Sequence, residues 1–187
     1  MNLRTCCALA FSTLSFAACA STPASTRVER MYVELRTEVG ERKLGSRADA
    51  EWHANQRSRV DHVFEMIDRG ELTTGLDHFY ASVILVETDD EKTLLTALGE
   101  ALRATELKED RAFRVAAEAT DKVRVKRGVP QKYGTQYMYE PVLKAWRLYP
   151  VDPATSDVER KAFGVEPLAE LQAKEAVLNQ MTGNKPN

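Results

Sequence analysis

The apolar residues between positions 27 and 127 recur at the spacing of one face of an α-helix, and only short breaks interrupt them. The clearest segment follows Thr74, where apolar side chains fall at i, i+3, i+4, i+7 and i+8: Leu76, Phe79, Tyr80, Val83 and Ile84. Because this segment is apolar on its other faces too, we expect it to be the buried, central helix. Short breaks make consecutive helices antiparallel, so this region is predicted to be an antiparallel helical bundle or a stack of helical hairpins.

Capping residues predict where further helices begin and end. Thr88 followed by Glu91 has the spacing of a capping box, which predicts a helix start there. Pro130 prevents the helix before it from continuing, because proline lacks the backbone N–H and clashes with the preceding turn. Ser156 has the same capping pattern for a short helix, and Pro167 is typical of the first position of a closing helix.

The period of the sequence changes after Pro130. Aromatic or apolar residues alternate with polar ones over 133–149, on both sides of Glu140-Pro141, which predicts a β-hairpin. An isolated hairpin is only marginally stable in water, so we expect it to pack on the helices. The predicted fold class is mainly α, with a small C-terminal β-hairpin and closing helices. A single domain is expected over 27–182, followed by a frayed tail at 183–187.

The amino terminus has the pattern of a bacterial lipoprotein signal. Residues 1–18 carry one early positive charge and then an uncharged apolar run, shorter than the about 20 residues that span a membrane. The run ends in FAAC, which resembles the lipobox, with Cys19 as its last letter. This predicts cleavage before Cys19, lipidation of that cysteine, and a tether over 19–26. An ordinary secretory signal that is cut near Ala20 is the alternative.

The same residues predict the compartment and the partners. No aspartate follows Cys19, so the retention signal of inner-membrane lipoproteins is absent, and we expect an outer-membrane lipoprotein that faces the periplasm.

The remaining chain would have no free thiol, which excludes thiolate-bound zinc and a cysteine nucleophile. Without Arg4, the 26 basic side chains of the full sequence become 25, against 28 acidic ones, and the two signs are well mixed, unlike the basic stripe of nucleic-acid binders. The expected partners are the membrane, through the lipid, and a protein or polar envelope ligand, with no cofactor.

The hexapeptide Gln131–Gln136 contains the densest group of binding side chains. Glutamines offer paired donors and acceptors, Tyr133 offers an aromatic face with a hydroxyl, and Gly134 permits positive φ. This set suits a polar, uncharged ligand such as a sugar or a peptide segment. The predicted ligand-binding residues are Gln131, Tyr133, Gly134, Thr135 and Gln136. A structural role, in which the glutamines satisfy buried backbone groups and the glycine makes a turn, is the other interpretation.

Two carboxylates on the preceding helix are the candidates for catalysis. Asp121 or Glu118, beside Tyr133 and with a glutamine as oxyanion donor, could serve an acid–base hydrolase. Glu118 also lies at i, i+4 spacing from Arg114 and Lys122, which is more typical of a solvated, salt-bridged face. Binding without catalysis is the preferred hypothesis, and an exposed patch of aromatic residues would support it: Tyr133, Tyr137 and Trp146.

The three histidines, His53, His62 and His78, have no second ligand at convincing metal spacing, so no metal site is predicted.

The hexapeptide resembles the Q-x-Y-G-T-Q signature of a bacterial domain of unknown function, the family numbered 6624. The order of features is also similar, with helices first and an arginine-containing helix with Gly-x-x-Pro-Leu near the end, over roughly 51–171. The resemblance implies no established activity. The family tends to have Asp-Arg where this chain has Asp121-Lys122, and Gln-His where it has Val86-Glu87. Any chemistry of those side chains would be absent here.

Overall fold

The computed structural model describes residues 23–41 and 47–181, and within these ranges the chain forms seven helices and one two-stranded antiparallel sheet. The elements are α1 (Ala24–Glu41), α2 (Arg47–Asp68), α3 (Gly75–Val86), α4 (Glu91–Glu106), α5 (Ala112–Lys126), β1 (Tyr137–Glu140), β2 (Ala145–Leu148), α6 (Asp157–Ala162) and α7 (Leu168–Met181). The predicted fold class, mainly α with a small hairpin, is confirmed. The predicted signal, Cys19, the first part of the tether and the tail lie outside the described residues.

Helix α3 lies at the centre of the helical part, as its apolar sequence predicts. It packs against α1, α2, α4 and α5, and every residue of 81–86 is buried. The helix begins with a capping box in which Thr74 Oγ1 accepts from the N–H of Asp77 and the Asp77 carboxylate accepts from the N–H of Thr74. Both interactions satisfy donors that the first turn of a helix would otherwise leave without acceptors.

The start of α4 corrects one prediction. The N-cap is Asp90, whose Oδ2 accepts from the N–H and the hydroxyl of Thr93, both at 2.8 Å. The capping box predicted for Thr88 and Glu91 is wrong, because Thr88 Oγ1 accepts instead from the N–H of Asp90 at 3.2 Å. An aspartate is favoured at this position, since its charge complements the positive end of the helix dipole.

The hairpin is present but shorter than predicted. Strands β1 and β2 pair with Tyr139 opposite Trp146, and residues 133–136 form a loop instead of extending β1. The outer edge of β2 is covered by α7, because the Asn179 side chain accepts from the N–H of Trp146 at 2.7 Å and donates to its carbonyl at 3.0 Å. Covering an edge in this way removes a site for unwanted strand pairing.

Two apolar clusters hold the molecule together. The large one fills the space among α1 to α5, and the small one joins α5 to the C-terminal part of the chain. The buried members of the small cluster are Ala117, Tyr133, Val165 and Leu171. The hexapeptide therefore lies where the C-terminal elements are attached to the bundle.

Candidate functional site

The hexapeptide loop folds around the carboxylate of Asp121, a residue of α5. Its Oδ1 accepts from the N–H groups of Lys132 (2.7 Å) and Tyr133 (2.8 Å). Its Oδ2 accepts from the N–H groups of Gly134 and Thr135 and from the hydroxyl of Thr135, all at 2.9 Å. The residue is 0% exposed. Five donors therefore use the whole acceptor capacity of a carboxylate, in the manner of the backbone nests that hold anions.

Gly134 is the residue that lets the loop close around this carboxylate. Its φ is +100°, in the region that side chains disfavour, and a Cβ there would lie 2.6 Å from Cδ1 of Leu171. The glycine is thus required twice, for its backbone conformation and for close approach of α7.

Gln131 fastens the two ends of the segment. Its side chain is buried, its Nε2 donates to the carbonyls of Gln136 and Tyr149 at 2.9 Å, and its Oε1 accepts from the N–H of Gln136 at 2.8 Å. Its backbone also donates to the carbonyl of Pro150 and accepts from the N–H of Asp152, both at 2.8 Å. The buried amide thus satisfies the N–H of Gln136 and the carbonyl of Tyr149, and it shares the carbonyl of Gln136 with the N–H of Tyr149.

Tyr133 points into the small apolar cluster, so it is not part of an exposed aromatic patch. The residue is buried, its ring lies 4.6 Å from that of Phe163, and burial raises the pKa of its hydroxyl. Tyr137 is half-buried and donates its hydroxyl to the carbonyl of Leu171 at 2.7 Å. Trp146 is half-buried as well. The predicted contiguous patch of these three exposed aromatics is therefore not formed.

Arg160 completes this arrangement, and the sequence analysis did not select it. It is 2% exposed, and its Nε donates to the carbonyl of Tyr133 at 3.0 Å. Its Nη1 donates to the carbonyl of Thr155 at 2.8 Å and to Asp157 at 3.0 Å. The guanidinium thereby ties α6 to the back of the hexapeptide. We refer to Asp121, Gln131, Arg160 and the loop that they hold as the carboxylate clamp.

The other candidate carboxylate lies outside the clamp. Glu118 is partly exposed and pairs with Lys122 at 3.3 Å, and none of its interactions within the described ranges involves the hexapeptide. Lys122 also donates to the carbonyl of Val86 at 2.7 Å. Arg114, predicted to pair with Glu118, pairs instead with Glu166 at 2.8 Å. Of the two alternative catalytic carboxylates, Asp121 contacts the hexapeptide and Glu118 does not, within the described residues.

Each histidine lies beside a polar group of the protein. His53 lies 3.7 Å from Asp49, the Nδ1 of His62 lies 2.7 Å from the carbonyl of Ser58, and His78 is 2.6 Å from Glu100. Within residues 23–41 and 47–181, no group of three or more His, Cys, Asp or Glu side chains could hold a metal ion.

A groove of about 500 Å³ lies between α1 and α2, far in sequence from the hexapeptide. Charged side chains from both helices and two methionines line it, including Arg30, Met31, Glu34, Glu38, Arg59 and Met66. Sequence reasoning missed this groove, because charged residues on one face of a helix normally indicate a solvated surface.

Arg59 is the unusual residue of this α1–α2 groove, since it is only 5% exposed. Its Nη2 donates to Oε1 of Glu38 at 2.6 Å, and Nδ2 of Asn55 donates to the same oxygen at 3.0 Å. Nε and Nη1 of Arg59 and Oε2 of Glu38 are buried and have no hydrogen-bond partner in the part of the chain that the structure describes. A buried donor or acceptor without a partner costs free energy, so a ligand that formed hydrogen bonds with these atoms would remove that cost.

A smaller cavity of about 250 Å³ lies near the C-terminal end of α3. Gln56 lines it and donates to the carbonyl of Ile84 at 2.5 Å. Glu87 and Lys122 line it as well.

Comparison of this chain with protein-family models, with curated proteins and with solved structures found no match. The resemblance of the hexapeptide to the family numbered 6624 therefore stays a prediction. Among the described helices, none is long and apolar enough to cross a bilayer.

Proposed function

We propose that this chain is an outer-membrane lipoprotein whose helical domain binds a partner or a small ligand and does not catalyse a reaction. The observation that carries this proposal is the occupation of Asp121, the best-placed carboxylate for the hydrolase alternative, by five donors from the chain. A general base must be free to accept a proton from a substrate or a water molecule. Asp121 would have to give up the hexapeptide first.

In this proposal the hexapeptide is chiefly the part that fastens the hairpin and the closing helices to α5. Gln131, Tyr133 and Gly134 are buried, whereas Lys132, Thr135 and Gln136 are half-buried. Direct contact between the hexapeptide and a polar ligand would therefore use the latter three. The α1–α2 groove, with a volume of about 500 Å³, is the place that we propose for binding.

The hydrolase alternative would have to rely on Glu118, which is partly exposed. A panel of chromogenic esters, glycosides and peptides, offered to the full-length chain and to its Glu118→Gln and Asp121→Asn variants, tests the choice. We expect no turnover by the parent above the buffer rate. Turnover that either variant abolishes while keeping its stability would overturn the proposal in favour of an enzyme.

Localisation is tested separately by fractionating cells that express the full-length chain. We expect the parent in the outer-membrane fraction and a Cys19→Ala variant outside it, because the acyl chains supply the attachment. An unchanged distribution of the variant would exclude the lipid anchor.

A further inference from the structure

The Arg59–Glu38 pair in the α1–α2 groove has both hydrogen-bond donors and a hydrogen-bond acceptor that are not used. Arg59 has two N–H positions without an acceptor, and Glu38 has one carboxylate oxygen without a donor, within the described residues. A simple anion would satisfy the arginine and leave the glutamate oxygen unpaired. A simple cation would do the opposite. The pair is thus complementary to a molecule that carries both charges.

The two charged residues next to this pair, Arg30 and Glu34, are also one basic and one acidic side chain. Arg30 and Glu34 are exposed on the groove face of α1 and form no ion pair with any residue that the structure describes. By contrast, Arg27 pairs with Glu71, and Arg69 lies 3.5 Å from Glu65. Two basic and two acidic groups, Arg30 and Arg59 with Glu34 and Glu38, therefore line the groove. Arg30 and Glu34 are exposed, and the unused atoms of Arg59 and Glu38 are buried.

We propose that the α1–α2 groove binds a small zwitterion of the α-amino-acid class. The ligand carboxylate faces Arg59 and Arg30, and the ligand ammonium faces Glu38 and Glu34. An aliphatic or thioether side chain then lies against the methionines of the groove. A volume of about 500 Å³ lies within the about 300–1,000 Å³ of small-molecule sites and is large enough to admit such a molecule. This inference rests on the proposed binding function and names its ligand class.

The test is calorimetric titration of the purified full-length chain with L-leucine and L-methionine, and then with two analogues that lack one charge. N-acetyl-leucine has no ammonium group, and leucine amide has no carboxylate. We expect the free amino acids to bind and each analogue to bind at least about tenfold more weakly, since charge-assisted hydrogen bonds are the strong ones.

Charge-removing variants locate the site. Arg30→Gln and Glu34→Gln change exposed side chains, so both should fold and should bind leucine about tenfold more weakly. Arg36→Gln and Glu29→Gln remove the same charges from the same helix at exposed positions that do not line the groove. These two controls should bind as the parent does.

Three results would overturn the inference: no binding of either amino acid, equal binding of an analogue, or equal weakening by the control variants. None of them bears on whether Asp121 or Glu118 supports turnover. Failure of the zwitterion site and failure of the non-enzymatic proposal are therefore distinguishable.

Discussion

Replacing Asp121 by asparagine tests whether the carboxylate clamp holds the C-terminal elements in place. The substitution preserves the shape of the side chain and removes its charge and one of its two acceptor oxygens. An NH₂ group then faces backbone N–H donors. In one orientation these donors belong to Gly134 and Thr135, and in the other to Lys132 and Tyr133. Two backbone donors lose their acceptor in either case.

The cost follows from these two donors. A buried donor left without an acceptor costs about 1–3 kcal/mol, so the pair accounts for about 2–6 kcal/mol. We therefore expect Asp121→Asn to lower the free energy of unfolding by about 3–5 kcal/mol, a large part of the about 5–15 kcal/mol of a typical domain. Glu118→Gln, one turn earlier on the same helix, removes a partly exposed ion pair and should cost less than about 1 kcal/mol.

Urea unfolding followed by far-UV circular dichroism measures both values, and amide hydrogen exchange shows where stability is lost. The reasoning requires faster exchange at 132–135 in Asp121→Asn, with the amides of α3 less affected. An Asp121→Asn variant within about 0.5 kcal/mol of the parent would refute it. The carboxylate would then be free for another role, and the hydrolase alternative would regain its best candidate.

Two further predictions concern neighbouring positions. Gly134→Ala should destabilise the protein by about 2–4 kcal/mol, because it combines a disfavoured φ with overpacking against Leu171 in the small cluster. Thermal unfolding measures this loss. Glu166→Gln should reduce the dependence of stability on acid pH. Lys174 and Arg114 hold the pKa of Glu166 at about 2, below its ordinary 4.5, although burial opposes them. Its contribution is therefore present above pH 4.5 and is lost as the pH falls towards 2.

Two control variants test whether the expected losses are specific to Gly134 and Glu166. Gly99→Ala lies in α4, where an added Cβ meets nothing within 4 Å, and should stabilise the chain by about 0.5–1 kcal/mol. Equal effects of the two alanine variants would contradict the argument for Gly134. Glu170→Gln removes an exposed acid near Glu166, and a pH profile as flat as that of Glu166→Gln would show that the paired carboxylate is not the cause.

The helices could be predicted from the sequence because their signals are local. The apolar spacing of α3 and the capping box at Thr74 lie within a few residues of one another and are satisfied within one element. The error at α4 had the same local character, since Thr88 and Asp90 are both good capping residues two positions apart.

The carboxylate clamp could not be predicted with the same certainty, because its partners are distant in sequence. Asp121 lies 11 to 14 residues before the N–H groups that it binds, and Arg160 lies 27 residues after Tyr133. Every residue except proline has a backbone N–H, so the sequence does not indicate which of these donors bind a carboxylate. The α1–α2 groove could not be predicted either, because nothing in the sequence distinguishes Arg59, which is 5% exposed, from the solvated arginines beside it.

The hexapeptide shows why residue chemistry alone did not distinguish binding from scaffolding. Glutamine, tyrosine, glycine and threonine suit recognition of a polar ligand because they supply amide, hydroxyl and backbone donors without charge. Those same groups suit recognition of another part of the chain. Here they bind the carbonyls of Gln136 and Tyr149 and the carboxylate of Asp121, which a ligand would otherwise have to supply. The α1–α2 groove differs in degree, because its Arg59–Glu38 pair has two donors and one acceptor that the described chain does not use, whereas in the carboxylate clamp only Nη2 of Arg160 is buried without a partner there. Unused hydrogen-bonding capacity, and not the richness of the polar set, is therefore the better guide to the binding surface.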